Sequence, residues 1–183
     1  MKAGMMTEDF NRMIKATKSF VQKTGSRKIY QYIRMEFCAE SSRVTAVAVD
    51  GYRMSVEHAM CYDCDEDFVI YVRDNITLPK KNNVMFERVD GECMIKCNDM
   101  IFGYVQPDGE FLDWEKALPE KAPEYKIAFN GDFMISALQS ARTSVGNVFK
   151  NPVVLEFRGP NEPIILRTNK DDIKMVLPVR IKQ

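Results

Sequence analysis

Val44-Thr-Ala-Val-Ala-Val-Asp-Gly-Tyr-Arg-Met-Ser-Val56 sets two apolar runs on either side of one Asp50-Gly51 pair. Asp-Gly between strand-like runs is a strong hairpin signal, because a two-residue type I′ turn needs positive φ at both central positions. The left arm puts Val44, Ala46 and Ala48 on one face and Thr45, Val47 and Val49 on the other. Neither face is polar enough for open water, so the strand is expected to be covered on at least one side. Past the turn come an aromatic, a fixed cation and a soft apolar side chain, Tyr52, Arg53 and Met54. An ordinary hairpin and the wall of a peptide-binding cleft both fit.

Around this stretch the 183 residues are 45% apolar and 28% charged, an ordinary globular mix, with zero formal net charge. No apolar run approaches the roughly 18 residues of a membrane helix, and the first residues lack a signal-peptide core. A cytoplasmic protein without membrane contact is therefore expected. The first 28 residues carry seven Lys or Arg against Glu8 and Asp9, a candidate polyanion-facing surface or simply a solvated helix face.

Five cysteines without an export signal argue against structural disulfides. Cys61, Cys64, Cys93 and Cys97 could be read as a four-thiolate zinc site. However, Cys93, Ile95 and Cys97 alternate along a strand as core residues do, and no metal or other cofactor is assigned. The lone His58, and the lack of a phosphate-binding, nucleotide-binding or Ser/His/Asp pattern, favour a binding protein over an enzyme.

Along the chain, Thr7 reads as an N-cap for a helix whose buried stripe is Phe10, Met13, Ile14, Thr17, Phe20 and Val21, ending at Gly25. Strands are expected at 28–38, 44–49 and 52–60. A second set follows at 68–72, 84–89, 92–97 and 100–106, with 73–83 too short and Pro-broken for a helix. The connector 107–119 carries its own anchors, Phe111, Leu112 and Trp114. A third block starts with a strand at 125–129 and a helix capped by Asn130, with Phe133, Met134, Ala137, Leu138 and Ala141 on its buried face. Strands at 152–158, 163–168 and 172–181 complete it, with a turn at Asn169-Lys-Asp. Strand, helix and three strands thus recur at a period near 60 residues, with each helix on its own sheet and units pairing to close a core.

With these motifs in order, the chain resembles the bacterial DNA sliding clamp family, the beta subunit of DNA polymerase III. Ala48–Met54 resembles the family's middle-domain Ala-Thr-Asp-Gly-His-Arg-Leu, and Val69-Ile-Tyr-Val-Arg73 its Val-Ile-Val-Pro-Arg. Asp108–Pro119 resembles its Asp-Gly-Arg-Phe-Pro-Asp-Tyr connector, and Val176–Ile181 its Met-Pro-Met-Arg-Leu ending. The resemblance implies an α+β fold of the DNA-clamp type, with three helix-plus-antiparallel-sheet halves, about one and a half clamp domains. Residues 1–118 would match the middle domain, and 119–183 the second half of the last domain.

It also implies a peptide cleft for DNA polymerase and other clamp-binding proteins. That cleft would be formed by Tyr32 (where the local Tyr-Ile-Arg departs from the family pattern), Gly51, Tyr52, Arg53, Met54, Leu112, Lys116, Ala117, Met175, Leu177, Pro178, Val179 and Arg180. Arg12, Lys15, Lys18 and Lys23 on the first helix, with Arg142 after the third, would face double-stranded DNA without reading bases. The family has six halves per chain against three here, so a six-domain ring would take four chains, a homo-oligomer. The alternative is a shortened clamp relative that binds clamp-interacting peptides as a regulator or decoy without encircling DNA.

Overall fold

In the computed structural model, residues 1–145, 152–168 and 171–180 are described. The chain divides into two compact units, Met1–Leu118 and Pro119–Gln183. In the first, β1 (Lys2–Met6) runs straight into α1 (Thr7–Thr17). The helix buries Phe10, Met13 and Ile14 and keeps Glu8 and Asp9 in its first turn. Thr7 is not the expected cap. It is the first helical residue, and its N–H and hydroxyl are both taken by the backbone of Asn82, at 3.0 and 3.2 Å. Nor does the helix reach Gly25. The Thr17 hydroxyl donates back to the Met13 carbonyl at 2.7 Å, and Lys18–Phe20 tightens into a 3₁₀ turn.

Lys28–Gln31, expected as strand, is another 3₁₀ turn. The strands proper are β2 (Ile33–Cys38), β3 (Arg43–Val49), β4 (Met54–Met60), β5 (Phe68–Val72), β6 (Asn83–Val89), β7 (Glu92–Cys97) and β8 (Met100–Val105). They form two antiparallel sheets, β4-β3-β2-β5 and β1-β6-β7-β8. The halves therefore exchange opening strands. β5 does not join the β6–β8 set, as the sequence order suggested, but pairs with β2, while β1 pairs with β6. Residues 73–82 hold no helix, so α1 alone serves this unit.

Between the sheets lies one core in which Phe37 stacks on Phe68 at 4.7 Å and meets Phe86 at 5.1 Å. Alternation made part of this core legible: Cys93, Ile95 and Cys97 point in as expected, and Ile33, Met35 and Phe37, on a strand to which no face was assigned, point in as well. Burial pushes the Cys93 thiol up to about 12 and Cys61 to about 11, the unreactive direction. Among the described residues, no group of three or more His, Cys, Asp or Glu side chains is placed to hold a metal ion.

The second unit runs β9 (Ala128–Phe129), α2 (Gly131–Val145), β10 (Val154–Glu156), β11 (Ile164–Arg167), β12 (Ile173–Val176) and β13 (Pro178–Val179). Asn130 caps α2 as expected, its Oδ1 accepting from the Asp132 and Phe133 N–H groups at 2.9 and 3.2 Å. The helix packs on β12 and β11 over Met134, Ile164, Leu166 and Val176. Its expected buried face is only partly buried: Met134 and Ala141 are inside, while Phe133 and Leu138 are exposed. The expected last strand breaks at Leu177. The Asn169-Lys170 turn and Ile181 lie outside the described residues. Among these residues, no helix is long and apolar enough to cross a membrane.

Candidate functional site

The β3–β4 hairpin is closed differently from the expected type I′ turn. Asp50 is not a central residue, and of the central pair Gly51-Tyr52 only Gly51 has positive φ, at 93°. That pattern belongs to type II′. The Asp50 N–H closes the turn on the Arg53 carbonyl at 3.3 Å, and the Asp50 carboxylate accepts the Tyr52 and Arg53 N–H groups at 3.1 and 3.2 Å and the Arg53 Nε at 2.8 Å. The Arg53 hydrogen bond holds the Asp50 carboxyl below its usual range, with the two backbone N–H groups adding to it. Arg53 also donates to the Ser19 carbonyl at 2.7 Å and lies 5.0 Å over the Phe20 ring. It is therefore committed to the 3₁₀ turn after α1. Tyr52 projects at 99% exposure.

Met54 and Leu112 share one support. Both pack on a surface cluster of Ile29, Tyr30, Val47, Val49 and Phe111, with Trp114 at its margin. The connector's anchors thus hold it to the sheet, helped by a T-shaped Tyr30–Phe111 contact at 5.4 Å and a Trp114 Nε1–H bond to Glu36 at 3.4 Å. Beside Leu112 is an open groove of about 660 Å³ lined by 26–30 and 108–113, including Arg27, Ile29 and Tyr30. Ile29 and Tyr30 fall at the start of the stretch expected as strand, 28–38, where no groove is anticipated. The aromatic Tyr30 preceding a true alternating run at Ile33 was the available signal.

The remaining members of the set in this unit are dispersed. Tyr32 accepts a bond from Arg73 Nη2 at 2.6 Å, with the guanidinium over its ring at 4.0 Å. Lys116 pairs with Asp113 at 2.7 Å, and Ala117 is exposed.

In the second unit, Met175, Leu177 and Val179 are exposed, at 58%, 62% and 49%, while Val176 between them is buried. This is the period-two pattern of a strand with one face on the core. Pro178, Val179 and Arg180 line an open groove of about 590 Å³ with Asn161.

The basic set divides as well. Lys15 and Lys18 are exposed, and so is Arg142 on α2. Arg12 instead lies against β4, bonded to Glu57 at 2.8 Å and to the His58 carbonyl at 2.7 Å. Lys23 is beyond the helix and paired with Asp74 at 2.6 Å. His58 sits between Arg43, 3.2 Å from Nε2, and Thr45, 3.1 Å from Nδ1. Arg43 can only donate, so Nε2 accepts and Nδ1 carries the proton toward Thr45. Partial burial, and then Arg43, lower its pKa.

No protein-family model matches the sequence, and no curated protein matches it. Solved structures do. The DNA polymerase sliding clamp of Bacillus subtilis superposes with a TM-score of 0.81 at 15% identity, over 97% of this chain and 49% of that one. The beta subunit of the Streptococcus pyogenes DNA polymerase gives 0.81 at 16%, over 97% and 50%. The Helicobacter pylori beta clamp, solved bound to a DNA ligase peptide, gives 0.67 at 18%, over 91% and 48%. The chain has the sliding-clamp fold and spans about half the length of these proteins.

Proposed function

We propose that this chain, with the fold of the bacterial DNA sliding clamps over about half their length, is a clamp-like binding protein. Its ligands are linear peptide segments of DNA polymerases and other replication or repair proteins, and its non-enzymatic role is to hold them at double-stranded DNA. The observation that carries this reading is the exposed apolar strand end Met175-Leu177-Val179 followed by Arg180, on a fold whose H. pylori representative was solved with a peptide bound. An apolar strip suits Leu and Phe anchors, and a neighbouring guanidinium suits a peptide carboxylate. Met54 and Leu112 over their shared cluster offer similar chemistry in the first unit.

The test is anisotropy titration of a labelled peptide bearing spaced Leu and Phe residues. Saturable binding at micromolar concentration is expected, against none for the same composition with both anchors changed to Ser. Equal binding of the two peptides would remove the proposal.

Of the basic set, Lys15, Lys18 and Arg142 are the cations that are exposed and have no acidic partner among the described contacts. Contacts of this kind weaken steeply with salt. Lys15→Glu with Lys18→Glu is expected to reduce the slope of log affinity against log salt by about 2, and an unchanged slope would show that α1 does not face DNA.

A second reading is favoured by Arg12 and Lys23, whose charges are already paired with Glu57 and Asp74. A chain with part of its basic set neutralised could bind clamp-interacting peptides as a regulator or decoy without encircling DNA. Retention on closed circular DNA with loss from linear DNA would support encirclement. Equal behaviour on both would favour the decoy.

A further inference from the structure

The three halves share one plan, and among the described residues the third has no opposite half of the kind the first two give each other. α1 and α2 begin at Thr7 and Gly131, an offset of 124. The same offset carries Gly4, bridged to Tyr62, onto Ala128, which pairs with Val179. Counting back three residues along the strand, Ala59 matches Val176. Their partners across the sheet, Val44 and Ile164, match in turn. One strand further, Phe37 opposite Val44 matches Phe157, which would stand opposite Ile164 as the ladder runs on past Glu156. The register fixes these equivalences without any sequence similarity.

Equivalent positions differ sharply in burial. Met5 is 0% exposed but Phe129 is 41%; Phe37 is 2% but Phe157 is 46%; Ile14 is 4% but Leu138 is 37%. In the first unit these side chains are covered by the opposite half, through β1 on β6 and β5 on β2. Among the described residues, nothing pairs with the outer edge of β9 or of β10. β9 is laddered over only two residues where β1 and β5 have five.

We propose that a second copy of this chain supplies the missing half: β9 of each copy pairs antiparallel with β10 of the other, in a two-fold dimer of second units. The arrangement is self-complementary, as a two-fold interface must be, because each copy offers one opening strand and one receiving edge. The first unit also fixes the register. Phe37 faces Phe68 and Met35 faces Ile70; likewise Phe86 faces Ala3 and Val84 faces Met5. Transferred to the second unit, Phe157 stands opposite the partner's Ile127, and Leu155 opposite the partner's Phe129.

The area is adequate. At their exposures, Phe129, Leu138, Leu155 and Phe157 offer on the order of 300 Å² per chain and about 600 Å² per pair, taking about 200 Å² for a whole aromatic side chain. The four strand edges covered on pairing add the rest of the roughly 1,200 Å² that a stable interface begins at. This inference rests on the fold and strand edges alone and is independent of peptide or DNA binding.

Light scattering of the full chain at tens of micromolar is expected to give twice the 21.1 kDa chain mass. Phe157→Glu, at a position already half exposed without a partner, should give the single-chain mass. Ile173→Glu, on the opposite sheet face, should stay a dimer. A second variant tests the register by covalent capture. With Phe129→Cys and Leu155→Cys together, directly opposed strand residues lie within disulfide reach, and mild oxidation should link two chains where the native cysteines alone do not. A single-chain mass for the native protein overturns the proposal. So does a dimer that survives Phe157→Glu, or one that fails to cross-link.

Discussion

The loop Asp50–Arg53 and the strand end Met175–Arg180 carry the two main groups of candidate docking residues, and they differ in how many of their contacts are already used. In the loop, Asp50 holds three N–H donors, and Arg53 is spent on Asp50, Ser19 and Phe20. Only Tyr52 is left fully open. In the strand end, Met175, Leu177 and Val179 stand exposed over a core that needs only Val176. Under the proposed function, the loop has little free charge to offer a peptide, while the strand end has unburied apolar surface. Affinity is then expected from the strand end, since burial of apolar anchors stabilises by about 1.5–3 kcal/mol per side chain.

Leu177→Glu should have the largest effect. It removes an apolar contact and places a charge where an anchor would be buried, so peptide affinity should fall more than tenfold, at least about 1.4 kcal/mol. At 62% exposure Leu177 does little for folding, and the urea midpoint should stay unchanged. A loss of less than threefold would reverse the assignment of affinity to the strand end.

Arg53→Ala should do less to binding and more to the loop. An exposed ion pair and one bond to the Ser19 carbonyl are together worth about 0.5–1.5 kcal/mol of stability. Peptide affinity should fall about threefold through a loosened Tyr52, in line with that modest energy. If affinity falls more than tenfold while the urea midpoint stays fixed, Arg53 leaves Ser19 to contact peptide directly, and the contrast between loop and strand fails.

This division was only half legible in the sequence. Alternation revealed that Cys93, Ile95 and Cys97 face inward, because period two is a property of neighbouring residues; that the sheets are antiparallel was implied by the resemblance to the clamp family. Alternation could not reveal that β1 and β5 change places, since strand exchange depends on contacts some 80 residues apart, as between Lys2 and Glu87. The same gap explains α2. Its apolar positions matched those of α1, but burial of Leu138 requires a second half that sequence periodicity does not report. Among the candidate docking residues, Tyr52 and Met54 were singled out by the hairpin signal, and the structure leaves Tyr52 open and packs Met54 on the Tyr30–Phe111 cluster. The capture of Arg53 by Ser19 was not, because it depends on α1 stopping at Thr17.

The smallest effect separates the two groups by pH. Asp50 is held below its ordinary value of 3.8, chiefly by Arg53, so its ionised form is the one the loop prefers. The stabilisation is therefore complete above the ordinary aspartate range and is lost as pH falls through the lowered native value. Following the amide resonances of Tyr52 and Arg53 by NMR should show a transition with its midpoint below 3.8. Val179, with no carboxylate bonded to it in the described contacts, should show none at that pH. Asp50→Asn keeps the side-chain acceptor but abolishes the transition, leaving the loop held by bonds to an uncharged acceptor at every pH. A midpoint at or above the ordinary value would mean that Arg53 does not stay on Asp50 in solution. Its guanidinium would then be free for a peptide carboxylate, and the loop would join the strand end as a source of affinity.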